Sequence, residues 1–156
     1  VVVKSSVLIK SNSYIDDTYI NSFSEVGPTC RIRKNTKIGK SVKIGNFVEI
    51  KNSSIGNKTK INHLAYVGDA VIGSNTNIGA GTITCNYDGT NKNKTIIGNN
   101  VFIGSNCSLI APLKIGNKSF IAAGSTISNN IAQNDFSIAR AKQQIIKNGR
   151  KKFIKV

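Results

Sequence analysis

A six-residue beat runs through most of this chain and limits its fold more than any other feature. Aliphatic residues followed by glycine recur as Ile38-Gly39, Ile44-Gly45, Ile55-Gly56, Ile72-Gly73, Ile78-Gly79, Ile97-Gly98, Ile103-Gly104 and Ile115-Gly116, and weaker units extend the series back to Ile9. An amphipathic helix needs a period near 3.6 and a half-buried open strand needs strict alternation; neither fits. A hexapeptide period describes short strands joined by sharp corners, with each aliphatic side chain aimed at a common axis. Three units, starting at Ile15, Ile50 and Val67, are one residue short. Counted along the chain they share one phase modulo three, so a coil of triangular section places every short unit on the same side. The spacing predicts about six coils of a parallel β-helix from about residue 9 to residue 131. Stacked Ile and Val then supply the core, although only 39% of residues are apolar and 6% aromatic.

The beat fails twice. After Ile83 it pauses until Ile97, which predicts an ejected loop over 84–96 (TCNYDGTNKNKTI). Long loops in tight solenoids usually serve binding or contacts with a neighbour, and this one is expected to reach a neighbouring chain because it is so polar. Past Ile131 the beat stops, giving a domain over 1–131 and a basic tail over 132–156. That tail carries Arg140, Lys142, Lys147, Arg150, Lys151, Lys152 and Lys155. Residues 138–147 could form a short helix with Ile138, Ala141, Ile145 and Ile146 partly apolar; the rest reads as a frayed tail.

Composition removes several function classes. No apolar run approaches the roughly 18 residues of a membrane span, so no membrane partner is expected. One histidine cannot build a multi-imidazole metal site, and no metal site is expected in this chain. Cys30, Cys85 and Cys107 are an odd number without zinc spacing, which fits a reducing cytoplasm. The net charge of +15 suits either an anionic partner or a lysine-rich solvated surface. Nucleic acid is the weaker candidate, because stacking platforms need rows of exposed aromatics and the four Tyr are scattered.

The repeat converts spacing into neighbourhood. Residues 18 apart, or 17 across a short unit, lie one coil apart at roughly 4.8 Å. Arg33 and Lys51 therefore stack, and two like charges so close call for an anion such as phosphate. His63 follows Asn46 and precedes Ala80 in its column, while Glu49 and Tyr66 share another. The loop leaves at the corner of Arg33 and Lys51, so one edge is expected to collect the cations, a carboxylate, a phenol and the imidazole. Ser105 and Ala123, 18 apart, are expected to form a shallow groove of small residues on a different side.

The run GNFVEIKNSSIGNKTKINHLAYVGDAVIGSNTNIGAGTITCNYDGTNKNKTIIG (45–98) resembles the acetyltransferase half of a bifunctional bacterial enzyme. That enzyme joins an N-acetylglucosamine-1-phosphate uridyltransferase to a glucosamine-1-phosphate N-acetyltransferase in UDP-N-acetylglucosamine biosynthesis. The stretch NIGAGTITCNYDG is the specific part, and similarity runs from about Val26 to Arg140. The resemblance implies a left-handed coil and a cytoplasmic homotrimer with sites at subunit junctions. It implies His63 as catalytic base, and Arg33, Lys51, Tyr66, Asn77 and Lys92 as sugar-phosphate contacts. Ala80, Asn86, Tyr87, Ser105, Ala123 and Arg140 match positions that hold acetyl-CoA, the co-substrate. The uridyltransferase domain, with its Mg²⁺, is expected to precede this chain in a longer protein.

The chemistry follows from the substrate. Glucosamine 1-phosphate presents a largely protonated amine, attack on a thioester needs its lone pair, and an imidazole can take a proton from the nitrogen during that attack. Glu49 is expected to orient His63. A Cys85 acetyl-enzyme is a competing route, but no second His stands ready to activate a thiol. Cys30 and Cys107 read as small fillers. The alternatives are another hexapeptide-repeat acyltransferase, or a basic non-enzymatic binding module.

Overall fold

A computed structural model of the chain describes residues 1–152. Residues 2–137 wind into a left-handed parallel β-helix whose three faces contain seven, eight and seven parallel strands. The first face runs from Val2–Val3 to Leu113–Ile115, the second from Leu8–Ile9 to Phe136–Ser137, and the third from Tyr14–Ile15 to Thr126–Ile127. The coil is therefore longer at both ends than the residue 9 to 131 expected from the beat. At the N-terminus, Val2 and Val3 pair with Tyr19 and Ile20. At the C-terminus, Phe136 and Ser137 pair with Phe120 and Ile121.

Registration of the inward residues makes the core. Ile20, Ile38, Ile55, Ile72, Ile97 and Ile115 stack on the first face, and Val26, Ile44, Ile61, Ile78, Ile103 and Ile121 on the second. On the third face Ile32, Ile50 and Val67 continue to Thr84, Leu109 and Ile127. All of these are buried. Thr84 holds an aliphatic position with a hydroxyl, which hides it in the sequence pattern. Its Oγ1 accepts the Gly68 amide at 2.8 Å and so satisfies backbone at the point where the ladder opens. The three units starting at Ile15, Ile50 and Val67 all lie on the third face, as the shared phase predicts.

A second inward set sits at the corners, where Ser and Thr hydroxyls take the carbonyls that sharp turns leave unpaired. Ser24 Oγ donates to the Gly39 carbonyl (2.8 Å), Thr59 Oγ1 to Gly73 (2.7 Å) and Thr76 Oγ1 to Gly98 (2.9 Å). Cys30 and Cys107 occupy equivalent buried corners on the third face, where burial raises the Cys30 thiol above its ordinary range. Each coil turns through left-handed residues such as Asn52, Leu64, Asp69 and Asn106.

The tail departs from expectation. Residues 138–148 form no helix, and among the described residues the only helical turn past the coil is a 3₁₀ segment at Gly149–Lys152. Ile145 and Ile146 are exposed, so no apolar stripe is buried there to hold a helix. Lys155 lies outside the described residues. No helix among the described residues is long and apolar enough to cross a membrane.

Because each coil touches only its neighbours, a deletion in the stack should cost its full cavity locally. Ile61 is completely buried in the middle of the second face. Ile61→Ala is expected to lose about 2–5 kcal/mol in equilibrium denaturation, whereas truncating exposed Leu64 should cost far less. Equal losses at the two positions would contradict the stacked core.

Candidate active site

His63 ends the second-face strand Lys60–His63 at the corner leading to the third face. Its partner one coil earlier is Asn46, and its Nδ1 lies 3.1 Å from Asn46 Oδ1. An amide oxygen only accepts, so Nδ1 carries the hydrogen and, in the neutral ring, the lone pair lies on Nε2. The orienting contact thus comes from Asn46. Glu49 is engaged elsewhere, its Oε1 lying 3.0 Å from Arg33 Nη1 and 3.8 Å from Arg31 Nη1. The spacing of 17 had placed Asn46 beside His63; what the sequence hid was that the two arginines claim the carboxylate.

The cations gather at the opposite end of the third face, where it turns to the first. Arg33 and Lys51 are one coil apart in register, as the pairing of Ile32 with Ile50 requires. Lys92 joins them from the loop, and its nearby amine, more than desolvation or the Arg33 charge, lowers the basicity of Lys51. His63 and these cations therefore do not share one edge, as the column arithmetic had suggested. They flank the third face, with Glu49 and Tyr66 in register on the surface between them.

The loop is shorter than its gap in the beat. Cys85 still belongs to the third-face strand Ile83–Cys85, and the first face resumes at Thr95, leaving 86–94 as the excursion. It makes a small hairpin with Tyr87 bridged to Lys92. Asp88 accepts the amides of Thr90 (2.9 Å) and Asn91 (2.7 Å), bonds that hold its carboxyl below the usual range. Asn86 is buried against its own coil, where its side chain donates to Asp69. Tyr87 is exposed. Cys85 lies at the cation corner, a whole face away from His63, so the imidazole is poorly placed to activate its thiol.

The small residues lie elsewhere than the arithmetic put them. Asn77 pairs with Phe102 and Ile78 with Ile103, so the coil containing the loop is 25 residues long instead of 18. With Ile61 opposite Ile78 and Ile103 opposite Ile121, one column reads Asn46, His63, Ala80, Ser105, Ala123. Ser105 and Ala123 thus lie in the same column as His63, not on another side. Arg140 closes the column by donating Nη1 to the Ala123 carbonyl at 2.7 Å. Beside it the corner residues change from bulky Phe47 and Leu64 to Gly81, Asn106 and Gly124. Gly81 has φ +73° and an added Cβ would lie 2.1 Å from Asn106 Oδ1, so a side chain here would be strained and would displace the Asn106 amide. From His63 to Ala123 the track spans three coil steps, roughly 14 Å. Asn77 stands on the second face between Lys60 and Phe102, away from the cation corner.

Two family models match the chain: the GMPPB C-terminal domain over residues 14–88 and the bacterial transferase hexapeptide (six repeats) over 94–129. The bifunctional protein GlmU of Pseudomonas syringae pv. tomato is 47% identical over 99% of this chain and 34% of its own length. That of Wolbachia pipientis wMel is 52% identical over 92% of this chain and 33% of its own. The chain spans about a third of the length of the curated relatives it matches. Among solved structures, PerB from Caulobacter crescentus in complex with CoA and GDP-perosamine superposes with a TM-score of 0.59 at 19% identity, covering 88% of this chain and 53% of that one. LpxA from Acinetobacter baumannii gives 0.53 at 16% identity, covering 86% and 64%. At these identities the two structures bear on the fold alone.

The amine pair offers a direct test of the cation corner. In the ligand-free protein, Lys92→Ala should raise the pKa of Lys51 toward the ordinary lysine range, read by heteronuclear NMR of the side-chain amine. A lysine held low in the folded state disfavours folding while it is charged, so the variant's stability gain should be present at neutral pH. That gain should fade as alkaline pH deprotonates Lys51. An unmoved Lys51 titration would separate the two amines.

Proposed function

The chain is homologous along almost its whole length to part of the bifunctional GlmU proteins, and from that premise we propose that it transfers acetyl from acetyl-CoA to the amine of glucosamine 1-phosphate. The observation that carries this reading is the single column in which a base-ready imidazole heads a track of small residues ending at an arginine. A thioester on a long flexible arm needs such a track: narrow, lined by backbone amides and capped by a cation for its phosphates. Ala80, Ser105 and Ala123 supply the narrow part and Arg140 the cation.

Across the third face, Arg33, Lys51 and Lys92 receive the sugar phosphate as charge-assisted donors. Tyr66, standing between cations and imidazole, orients the sugar so that its amine faces His63. The amine enters in its neutral form, having released one proton to solvent; its nitrogen attacks the thioester carbonyl, His63 Nε2 takes a second proton from it, and a tetrahedral oxyanion forms. Collapse breaks the carbon–sulfur bond, and the proton on His63 passes to the departing thiolate. The products are N-acetylglucosamine 1-phosphate and CoA. Asn46 selects the tautomer of the neutral ring whose lone pair is on Nε2, a role that binds nothing of the substrate. With its amide committed to Asp69, Asn86 supports the loop from within, and the exposed Tyr87 is the loop residue free to meet the co-substrate. A homotrimer in the cytoplasm belongs to the same proposal, with Asn77 completing a site on a neighbouring coil from its separate face.

Release of CoA thiol in the presence of each candidate acceptor tests the reading. The purified chain should acetylate glucosamine 1-phosphate and leave nucleotide-linked sugars and hydroxyl acceptors unchanged. His63→Ala should lower kcat about 10²–10⁴-fold with an unaltered circular dichroism spectrum. Ala123→Trp should instead raise the KM for acetyl-CoA at constant sugar-phosphate affinity. Full activity in His63→Ala, or an unchanged acetyl-CoA KM in Ala123→Trp, would contradict the assignment.

A further inference from the structure

Asp69 is a buried carboxylate, 6% exposed, at the left-handed corner where the third face turns to the first. Both of its oxygens are claimed by amides: Asn52 Nδ2 donates to Oδ1 at 2.5 Å and Asn86 Nδ2 donates to Oδ2. Its main chain is engaged as well. The Asp69 amide donates to the Lys51 carbonyl (3.1 Å), and its carbonyl accepts the Thr95 amide (3.3 Å). Asn86 is where the loop departs and Thr95 is where it returns. One residue therefore clasps both ends of the excursion and is bonded to the backbone of Lys51.

We propose that Asp69 is a positioning residue for the anion site, a clasp that holds the loop so that Lys92 stays beside Lys51. The inference rests on reading this corner as the sugar-phosphate site. Burial alone would push the Asp69 carboxyl up, but Asn52 and Asn86, with Lys51 and Lys92 nearby, more than offset it and hold it charged. Lys51 and Lys92 repel each other, so the pair persists only if the loop bearing Lys92 is anchored. The anchor lies in Asn86, whose carbonyl also accepts the Asn93 amide at 2.7 Å, next to Lys92.

Two roles for Asp69 predict opposite signs. If it acted only through its charge, removing a carboxylate beside an anion site would tighten anion binding. If it is a clasp, Asp69→Asn turns one acceptor into a donor that faces a donor amide, the loop root loosens, and anion binding weakens despite the gain of positive charge.

The experiment uses inorganic phosphate and glucosamine 1-phosphate as calorimetric titrants, with amide hydrogen exchange over 86–94 as the second readout. Asp69→Asn should weaken both titrants about tenfold, the loss of one charge-assisted contact, and should speed exchange in the loop by a similar factor. The exchanged pair Asp69→Asn with Asn86→Asp restores donor to acceptor at that contact and should recover most of the loop's protection. Equal or tighter phosphate binding overturns the proposal. So does a loosened loop with unchanged affinity, or an exchanged pair that stays as mobile as Asp69→Asn. Should Asp69→Asn fail to fold, Asn86→Ala, which leaves Asp69 with Asn52, decides by the same two readouts. Neither readout needs turnover. A wild-type chain that binds phosphate through this clasp yet transfers no acetyl group would overturn the proposed activity alone.

Discussion

Everything in this molecule depends on the register between successive parallel coils. Hydrogen bonding fixes which residue lies above which, so one inward aliphatic position per strand becomes a continuous column of Ile, Val and Leu. The same register governs the outer surface. A residue chosen on one coil has its neighbours named by the coils on either side, with no folding together of distant elements needed. Function in such a coil is a matter of columns: Asn46 beneath His63, Ala80 above it, and Ser105 and Ala123 beyond.

Charge is distributed along the third face with a consistent logic. Glu49 neutralises Arg33 in the ligand-free state and holds Arg31 at longer range. Lys51 and Lys92 form no ion pair among the described residues and press on one another, with Asp69 behind them. An incoming dianion would relieve that pressure and compete with Glu49 for Arg33. The second face carries a simpler pattern, in which Glu25 bridges Lys10 (3.3 Å) and Lys43 (3.6 Å) near the surface. Such exposed pairs contribute little to stability. Much of the excess positive charge is solvated lysine, while Arg33, Lys51 and Lys92 gather at one corner.

The fold was legible because the repeat is strict where side chains are buried. Ile44, Ile61 and Ile78 reveal their column directly, and the short units at Ile15, Ile50 and Val67 disclose three sides. Three features were harder to read. Thr84 fills an aliphatic position with a hydroxyl, so the loop seemed to begin two residues early. The loop lengthens its coil to 25 residues, which breaks an arithmetic based on 18 and moved Ser105 and Ala123 away from His63. Side-chain competition cannot be read from spacing either: the column arithmetic put Glu49 on the edge of the imidazole, but Arg33 and Arg31 hold it. Asp69 carried no motif at all, and its role emerges only from the two ends of the loop meeting at one corner.

If one column joins the base to the co-substrate track, a crystal structure of the chain with CoA will show it. The thiol should lie beside Ala80 within reach of His63, the pantetheine arm should pass Ser105 and Ala123, and a phosphate should sit near Arg140. CoA bound along the first face, or with its thiol at the cation corner beside Cys85, would contradict it.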